Sequence, residues 1–169
     1  MDDVRWLSTS EERAWRALQL MQLRLEGALA RQLARDSGLS YPDYLVLVAL
    51  TDRPDGRTRL FELARVLGWE KSRLSHHISR MEARGLVDKE RCDTDRRGAF
   101  VVVTASGRTE LAAAAPGHVA AVRRLFVERL TPPQLEAIGE AAEAVLAGFD
   151  DPVDRAPGRG QTGSAEEPR

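Results

Sequence analysis

At 169 residues and a formal net charge of −1, the chain has room for one ordinary domain or a small core with helical extensions, and it is no generally basic nucleic-acid coat. A single cysteine excludes an intrachain disulfide and any cysteine-rich zinc site. No stretch approaches the roughly 20 apolar residues of a membrane span, and the acidic opening Met1-Asp2-Asp3 lacks the character of a signal peptide, so a soluble, reducing, cytoplasmic setting without a membrane partner is expected.

The first helix is announced by Ser8-Thr9-Ser10-Glu11-Glu12, in which either Ser8 with Glu11 or Thr9 with Glu12 makes a capping box. From there to Arg35, Trp15, Leu18, Leu25, Leu29 and Gln32 follow a heptad-like spacing, with Ala14, Met21 and Ala28 alongside, and Asp36-Ser37-Gly38 ends the run. A second helix begins at Ser40, which can cap onto Asp43, and carries Tyr44, Leu45, Leu47 and Val48 to Thr51. Asp52-Arg53-Pro54-Asp55-Gly56 is a loop, and Arg57-Thr58-Arg59 is too short to assign but stands where a small third strand often joins a hairpin.

Residues 60–104 have the order of a winged helix-turn-helix. Leu60, Leu63, Ala64 and Leu67 recur at helical spacing before Gly68. Lys71 to Arg84 forms a second helix with Leu74, Ile78 and Met81 as its apolar stripe and Gly85 as its stop. Two β-prone runs, 86–91 and 99–103, then flank the polar turn 92–98. Beyond them, Thr104 and Ser106 can cap an alanine-rich helix that Pro116-Gly117 is expected to kink or break before Val119, Val122, Phe126 and Leu130 resume the stripe. Thr131-Pro132-Pro133-Gln134 starts a last helix, with Leu135, Ile138, Ala142, Val145, Leu146 and Phe149 on one face. From Asp150 onward there is little to bury, and a mobile tail is expected.

The fold class read from this order is mainly α with a small β-hairpin wing, a winged helix-turn-helix between N- and C-terminal dimerisation helices. Its parts are residues 1–39 (dimerisation helix), 40–104 (DNA-binding domain), 105–149 (dimerisation helices) and 150–169 (tail). The assembly argument is one of length. A helix from Glu11 to Arg35 spans about 37 Å, more than the winged module can cover, and the helices after the wing share its surplus of apolar face. Packing against a second copy, as a homodimer, solves both.

Charge points to the reading segment. Residues 57–97 hold eleven Lys/Arg and seven Asp/Glu, a local +4 inside a near-neutral chain. On a helical wheel, Ser72, Arg73, His76, Ser79, Arg80 and Ala83 lie opposite the apolar stripe, with His77 at the boundary, where a half-buried structural role and a DNA contact are equally open. Arg96 and Arg97 sit in the turn near Asp93 and Asp95. A guanidinium held extended there by a carboxylate two residues earlier can enter a narrow minor groove.

The run from Asp95 to Thr104 resembles the wing signature of the multiple-antibiotic-resistance regulator (MarR) family: Asp-x-Arg, five residues, an aliphatic residue and Thr. Val103 stands where Leu is more usual. Trp69 to Ile78 and Arg84-Gly85-Leu86-Val87 resemble that family's recognition helix and its exit, and the helix order agrees over residues 10–149. The resemblance implies a dimeric transcriptional regulator, usually a repressor, on a palindromic double-stranded operator. It places Arg97 in the minor groove with Asp95 orienting it, Arg96 at the phosphates, and Ser72, Arg73, His76 and His77 in the major groove. It also implies release by a small aromatic or phenolic effector. Trp15, Tyr41, Tyr44 and Trp69 are candidates to line a pocket, although aromatic residues at helix junctions are commonly core.

Enzymatic readings fare badly. His76 and His77 are adjacent on one helix, His118 follows a break, and there is no Gly-rich phosphate loop, nucleophile elbow or paired carboxylates; no cofactor or metal ligand set is expected. Cys92 in the wing, near arginines that favour a thiolate, leaves a redox-responsive regulator as an alternative to a bystander thiol. The peroxide-sensing branch of the resembled family, however, keeps its cysteine near the N-terminus, where this chain has none. A winged fold used for protein interaction is the other alternative.

Overall fold

The computed structural model describes residues 4–92 and 95–150, and the side chains of all of these except 91, 92, 95–98 and 150. Met1-Asp2-Asp3, the wing residues Asp93 and Thr94, and the tail from 151 lie outside the described residues. The chain divides into two units, residues 1–127 and 128–169.

In the first unit each long helix starts where the sequence supplies an acceptor. Ser8 caps α1 (Thr9–Asp36): its hydroxyl accepts from the Glu11 amide while the Glu11 carboxylate accepts from the Ser8 amide at 2.7 Å. Of the two possible boxes this is the one formed. Ser40 and Asp43 close a second box at α2 (Tyr41–Thr51). Strand β1 (Arg57–Arg59) leads into α3 (Leu60–Leu67), α4 (Lys71–Ala83), β2 (Val87–Cys92), β3 (Asp95–Val103) and α5 (Ala105–Leu125).

The sheet is antiparallel in the order β1-β3-β2, so the tripeptide that was too short to assign is indeed the third strand, with Thr58 opposite Val101. Val87 opposes Val103 at the other edge, and the β2–β3 register shifts between Arg91 and Cys92. One core joins these elements: Leu33 and Leu39 from the end of α1, Val46, Leu47 and Leu50 of α2, Leu63 of α3, Leu74, Ile78 and Met81 of α4, and Leu86, Val87, Val101 and Val103 of the hairpin.

Gly68 and Gly85 close α3 and α4 at φ +63° and +70°, the left-handed conformation that side chains disfavour. Thr104 caps α5 by accepting from the Gly107 amide while its own hydroxyl donates to the Gly85 carbonyl at 2.7 Å, tying the helix start to the turn after α4. A Cβ on Gly107 would stand 2.1 Å from the Leu86 carbonyl oxygen, so only glycine lets α5 approach the hairpin this closely.

Of the kink or break expected at Pro116-Gly117, the break does not occur: α5 continues through Pro116 to Leu125. Proline forfeits one intrahelical hydrogen bond, but α5 packs along α1 and α2, and tertiary contact on its flank keeps the helix in one piece. No described helix is long and apolar enough to cross a membrane.

A 3-10 turn, Val127–Arg129, precedes α6 (Pro132–Asp150) of the second unit. The Thr131 amide and hydroxyl both donate to the Gln134 side-chain oxygen, at 2.9 and 3.1 Å, which makes the Gln half of the expected box. Along α6 the apolar residues Val145, Leu146 and Phe149 are exposed.

Candidate nucleic-acid interface

Helix α4 is divided lengthwise. Leu74, Ile78 and Met81 are fully buried, whereas Ser72, Arg73, His76, Ser79, Arg80 and Ala83 are exposed on the other side. The outward set is the one the helical wheel selects, and it is rich in the side chains that hydrogen-bond base edges and phosphates. His77 belongs to the inner side. It is 7% exposed, so its ring is a buried group and not part of the outward face.

Its surroundings explain why an imidazole is buried there. The ring's Nε2 lies 3.0 Å from Oδ1 of Asp43, an off-axis electrostatic contact rather than an aligned hydrogen bond. Nδ1 lies 3.0 Å from Nη2 of Arg80, and Trp69 meets the ring edge-on, at 5.5 Å between centroids and 87°. The guanidinium of Arg73 sits over Trp69 at 4.7 Å.

Asp43, 2% exposed, is the hub of this support. One oxygen faces His77; the other accepts from Nη1 of Arg84 at 2.6 Å and from the Ser40 amide at 2.9 Å. Arg84 also donates to the Gly38 carbonyl at 2.7 Å. A buried carboxylate is tolerable only when paired and hydrogen-bonded. Burial pushes the Asp43 carboxyl up, but contacts from His77, the Ser40 amide, Arg84 and the Ser40 hydroxyl together hold it well below the usual carboxylate range. The same carboxylate therefore begins α2 and fastens α4 at its middle and its end.

Sequence reasoning finds Asp43 only as a capping partner and Trp69 only as a pocket candidate, and it assigns no contact to Arg84 or Lys89. The Asp43–Arg84 pair spans 41 residues, and helical or strand periodicity carries no signal at that range. Lys89 on β2 donates to the Ser79 hydroxyl at 2.7 Å and pairs with Glu82 at 3.0 Å, holding the wing's first strand against α4.

At the wing, Asp95, Arg96 and Arg97 open β3, and Cys92 ends β2; the structure places their backbone in the hairpin, and their side chains lie outside the described residues. Near its base, Arg57 and Arg59 lie over Phe100 at 4.1 and 5.0 Å, and Arg57 pairs with Glu90 at 3.2 Å.

The four candidate pocket aromatics occupy different surroundings. Tyr41 and Tyr44 pack on His118 of α5, at 6.3 and 4.3 Å between centroids, Trp69 packs on His77, and Trp15 is exposed on α1. Burial raises both tyrosine hydroxyls and lowers the His118 imidazole from their ordinary values. Two buried side-chain atoms in this region, Oε1 of Gln32 and Nδ1 of His118, have no hydrogen-bond partner. No group of His, Cys, Asp and Glu among the described residues could hold a metal ion.

The sequence profile of the MarR family matches residues 37–98, from the end of α1 into β3. A MarR family transcriptional regulator from Streptomyces coelicolor, solved in complex with DNA, is 40% identical with a TM-score of 0.82, over 90% of this chain and 95% of that one. AbsC, a MarR family transcriptional regulator from the same organism, is 38% identical with a TM-score of 0.78, over 86% and 98% of the two chains. The transcriptional regulator HosA of Escherichia coli is 40% identical over 79 residues, which cover 46% of this chain and 56% of that protein, so the chain spans about half the length of this curated relative.

Proposed function

The chain belongs to the MarR family of transcriptional regulators, which are not enzymes, and from that premise we propose that it binds double-stranded operator DNA as a homodimer. Each protomer inserts α4 into the major groove and the β2–β3 wing into the adjacent minor groove of a palindromic operator, acting as a repressor. The observation that carries this reading is the lengthwise division of α4, with Ser72, Arg73, His76 and Arg80 exposed over a fully packed inner face. In the wing, Arg97 enters the minor groove, Asp95 orients it and Arg96 meets the phosphates, as the family signature implies.

Dimerisation is assigned to residues 1–39 and 105–149, with the reader at 40–104. Its support is the exposed apolar surface of Trp6, Leu7, Trp15, Leu20 and Leu23 on the N-terminal segment and of Val145, Leu146 and Phe149 on α6. At 28 residues α1 is about 42 Å long, and Trp15, Leu20 and Leu23 stand exposed along it.

Selection of bound fragments from genomic DNA tests the reading. It should return a two-fold symmetric sequence with half-sites about 34–36 Å apart and affinity that falls steeply with salt. Equal, salt-insensitive binding of all sequences would refute it. A single-chain mass in sedimentation at every concentration would remove the homodimer.

A second reading, release of DNA by a small aromatic or phenolic acid, is favoured by the unpartnered Nδ1 of His118, whose ring packs on Tyr41 and Tyr44, and by the unpartnered Oε1 of Gln32 on α1. Loss of operator binding on addition of such an acid, absent in a His118→Phe variant, is its expected signature.

A further inference from the structure

We propose that His77 is a positioning residue that sets the aim of both reading arginines, Arg80 directly and Arg73 through Trp69; this rests on the reading of α4 as the DNA-reading helix. The three residues share one edge of α4, Arg73 four positions before His77 and Arg80 three after, the spacings that bring helical side chains together. Both arginines are exposed, and a long exposed guanidinium ordinarily samples many rotamers. Here each has an anchor, the buried ring of His77 for Arg80 and the half-buried indole of Trp69 for Arg73.

Arginine has no acceptor, so the 3.0 Å contact with Arg80 requires His77 Nδ1 to be the unprotonated nitrogen. The proton of the neutral ring then sits on Nε2, beside the Asp43 carboxylate at 3.0 Å, which selects that tautomer. The other anchor is aromatic. Trp69 stands edge-on to the imidazole at 5.5 Å, so the ring that receives Arg80 also holds the indole under Arg73 at 4.7 Å. With His77 only 7% exposed, water competes poorly for the ring's own contacts. Asp43 fixes the ring, and the ring fixes two guanidinium groups before DNA arrives. Such preorganisation removes part of the ordering cost of binding and favours one set of base contacts over others.

Two substitutions separate this role from simple core support. His77→Asn keeps an acceptor near the Nδ1 position and gives up the Nε2 side; His77→Gln reaches the Nε2 side and gives up the acceptor for Arg80. Operator affinity, affinity for unrelated DNA and melting temperature are measured for both in the full chain. His77→Gln should lower the ratio of operator to unrelated binding by about tenfold, the scale of one good arginine contact, while His77→Asn stays within about threefold of the parent. Arg80→Ala should reduce that ratio about tenfold in the parent and by less than about threefold in the His77→Gln background, because the two residues act as one unit. Equal losses in the two His77 variants that track melting temperature, or an undiminished Arg80→Ala effect in His77→Gln, would overturn the proposal.

A readout without DNA keeps it apart from its premise. Nitrogen NMR of His77 should show Nδ1 unprotonated at neutral pH, with its resonance displaced by Arg80→Ala. An Nδ1-protonated ring, or no displacement, overturns the arrangement. If the arrangement holds and the parent binds no DNA selectively, the reading of α4 fails instead.

Discussion

The winged module and the outer helices spend their apolar residues differently. In the module, Leu63, Leu74, Ile78, Met81, Val87 and Val101 are all within 1% of full burial, and the buried Asp43 and Thr58 among them are paired with Arg84 and Glu62. On the N-terminal segment Trp6 is 85% and Leu23 71% exposed, and on α6 Phe149 is 70% exposed. The first region satisfies its own side chains. The second presents surface that only a further surface can satisfy. A fold can thus hold a module that covers its own side chains and outer helices that leave apolar faces open, the faces that the proposed homodimer would cover.

That contrast can be tested by mutation. Leu74→Ala opens a cavity at the centre of the module and should cost about 3–5 kcal/mol in denaturant unfolding. Trp15→Asp puts a charge on the exposed stripe of α1. It should weaken self-association by about 2–4 kcal/mol, read as a mass in sedimentation falling towards the 18.7 kDa of one chain, while the hairpin and α4 stay folded. A Trp15→Asp protein that unfolds at all concentrations would show that α1 supports the module from within.

Asp43→Asn should cost about 2–3 kcal/mol at neutral pH, less than a fully buried pair because Arg84 is partly exposed. Its pH dependence has a defined sign. The folded Asp43 carboxyl lies below its unfolded value, so its contribution is present above the ordinary Asp range and is lost as pH falls through and below it. Acid titration of stability in the parent should therefore be steeper than in Asp43→Asn. The smallest expected change is Arg97→Ala, which should leave melting and mass alone and weaken operator binding by about 1–3 kcal/mol in a titration.

Where the sequence was legible, a local rule was at work. Ser8, Ser40 and Thr104 are caps because a hydroxyl three residues ahead of a free amide has one good use, and α4's stripe follows from a period of 3.6. The outward set of α4 follows from the same wheel. The wheel puts His77 at the boundary, because its fate depends on Asp43, 34 residues earlier, and no periodicity links the two. Pro116 follows the same rule: it can kink or break a helix, and α5 does not break there. Its local cost is fixed, but α1 and α2 beside the helix decide whether the helix survives it. Wheel and cap signals end at the element; pairings between elements need the packed chain.

The lengthwise division of α4 also bears on how this protein can change over evolutionary time. Ser72 and His76 stand in solvent, apart from the core packing of Leu74, Ile78 and Met81. Substitutions at such surface positions usually alter stability by no more than about 0.5 kcal/mol. A lineage can therefore rewrite the outer letters of this helix one at a time, each intermediate still folded. The inner letters, bound to Asp43, Trp69 and the hairpin, stay as a shared chassis.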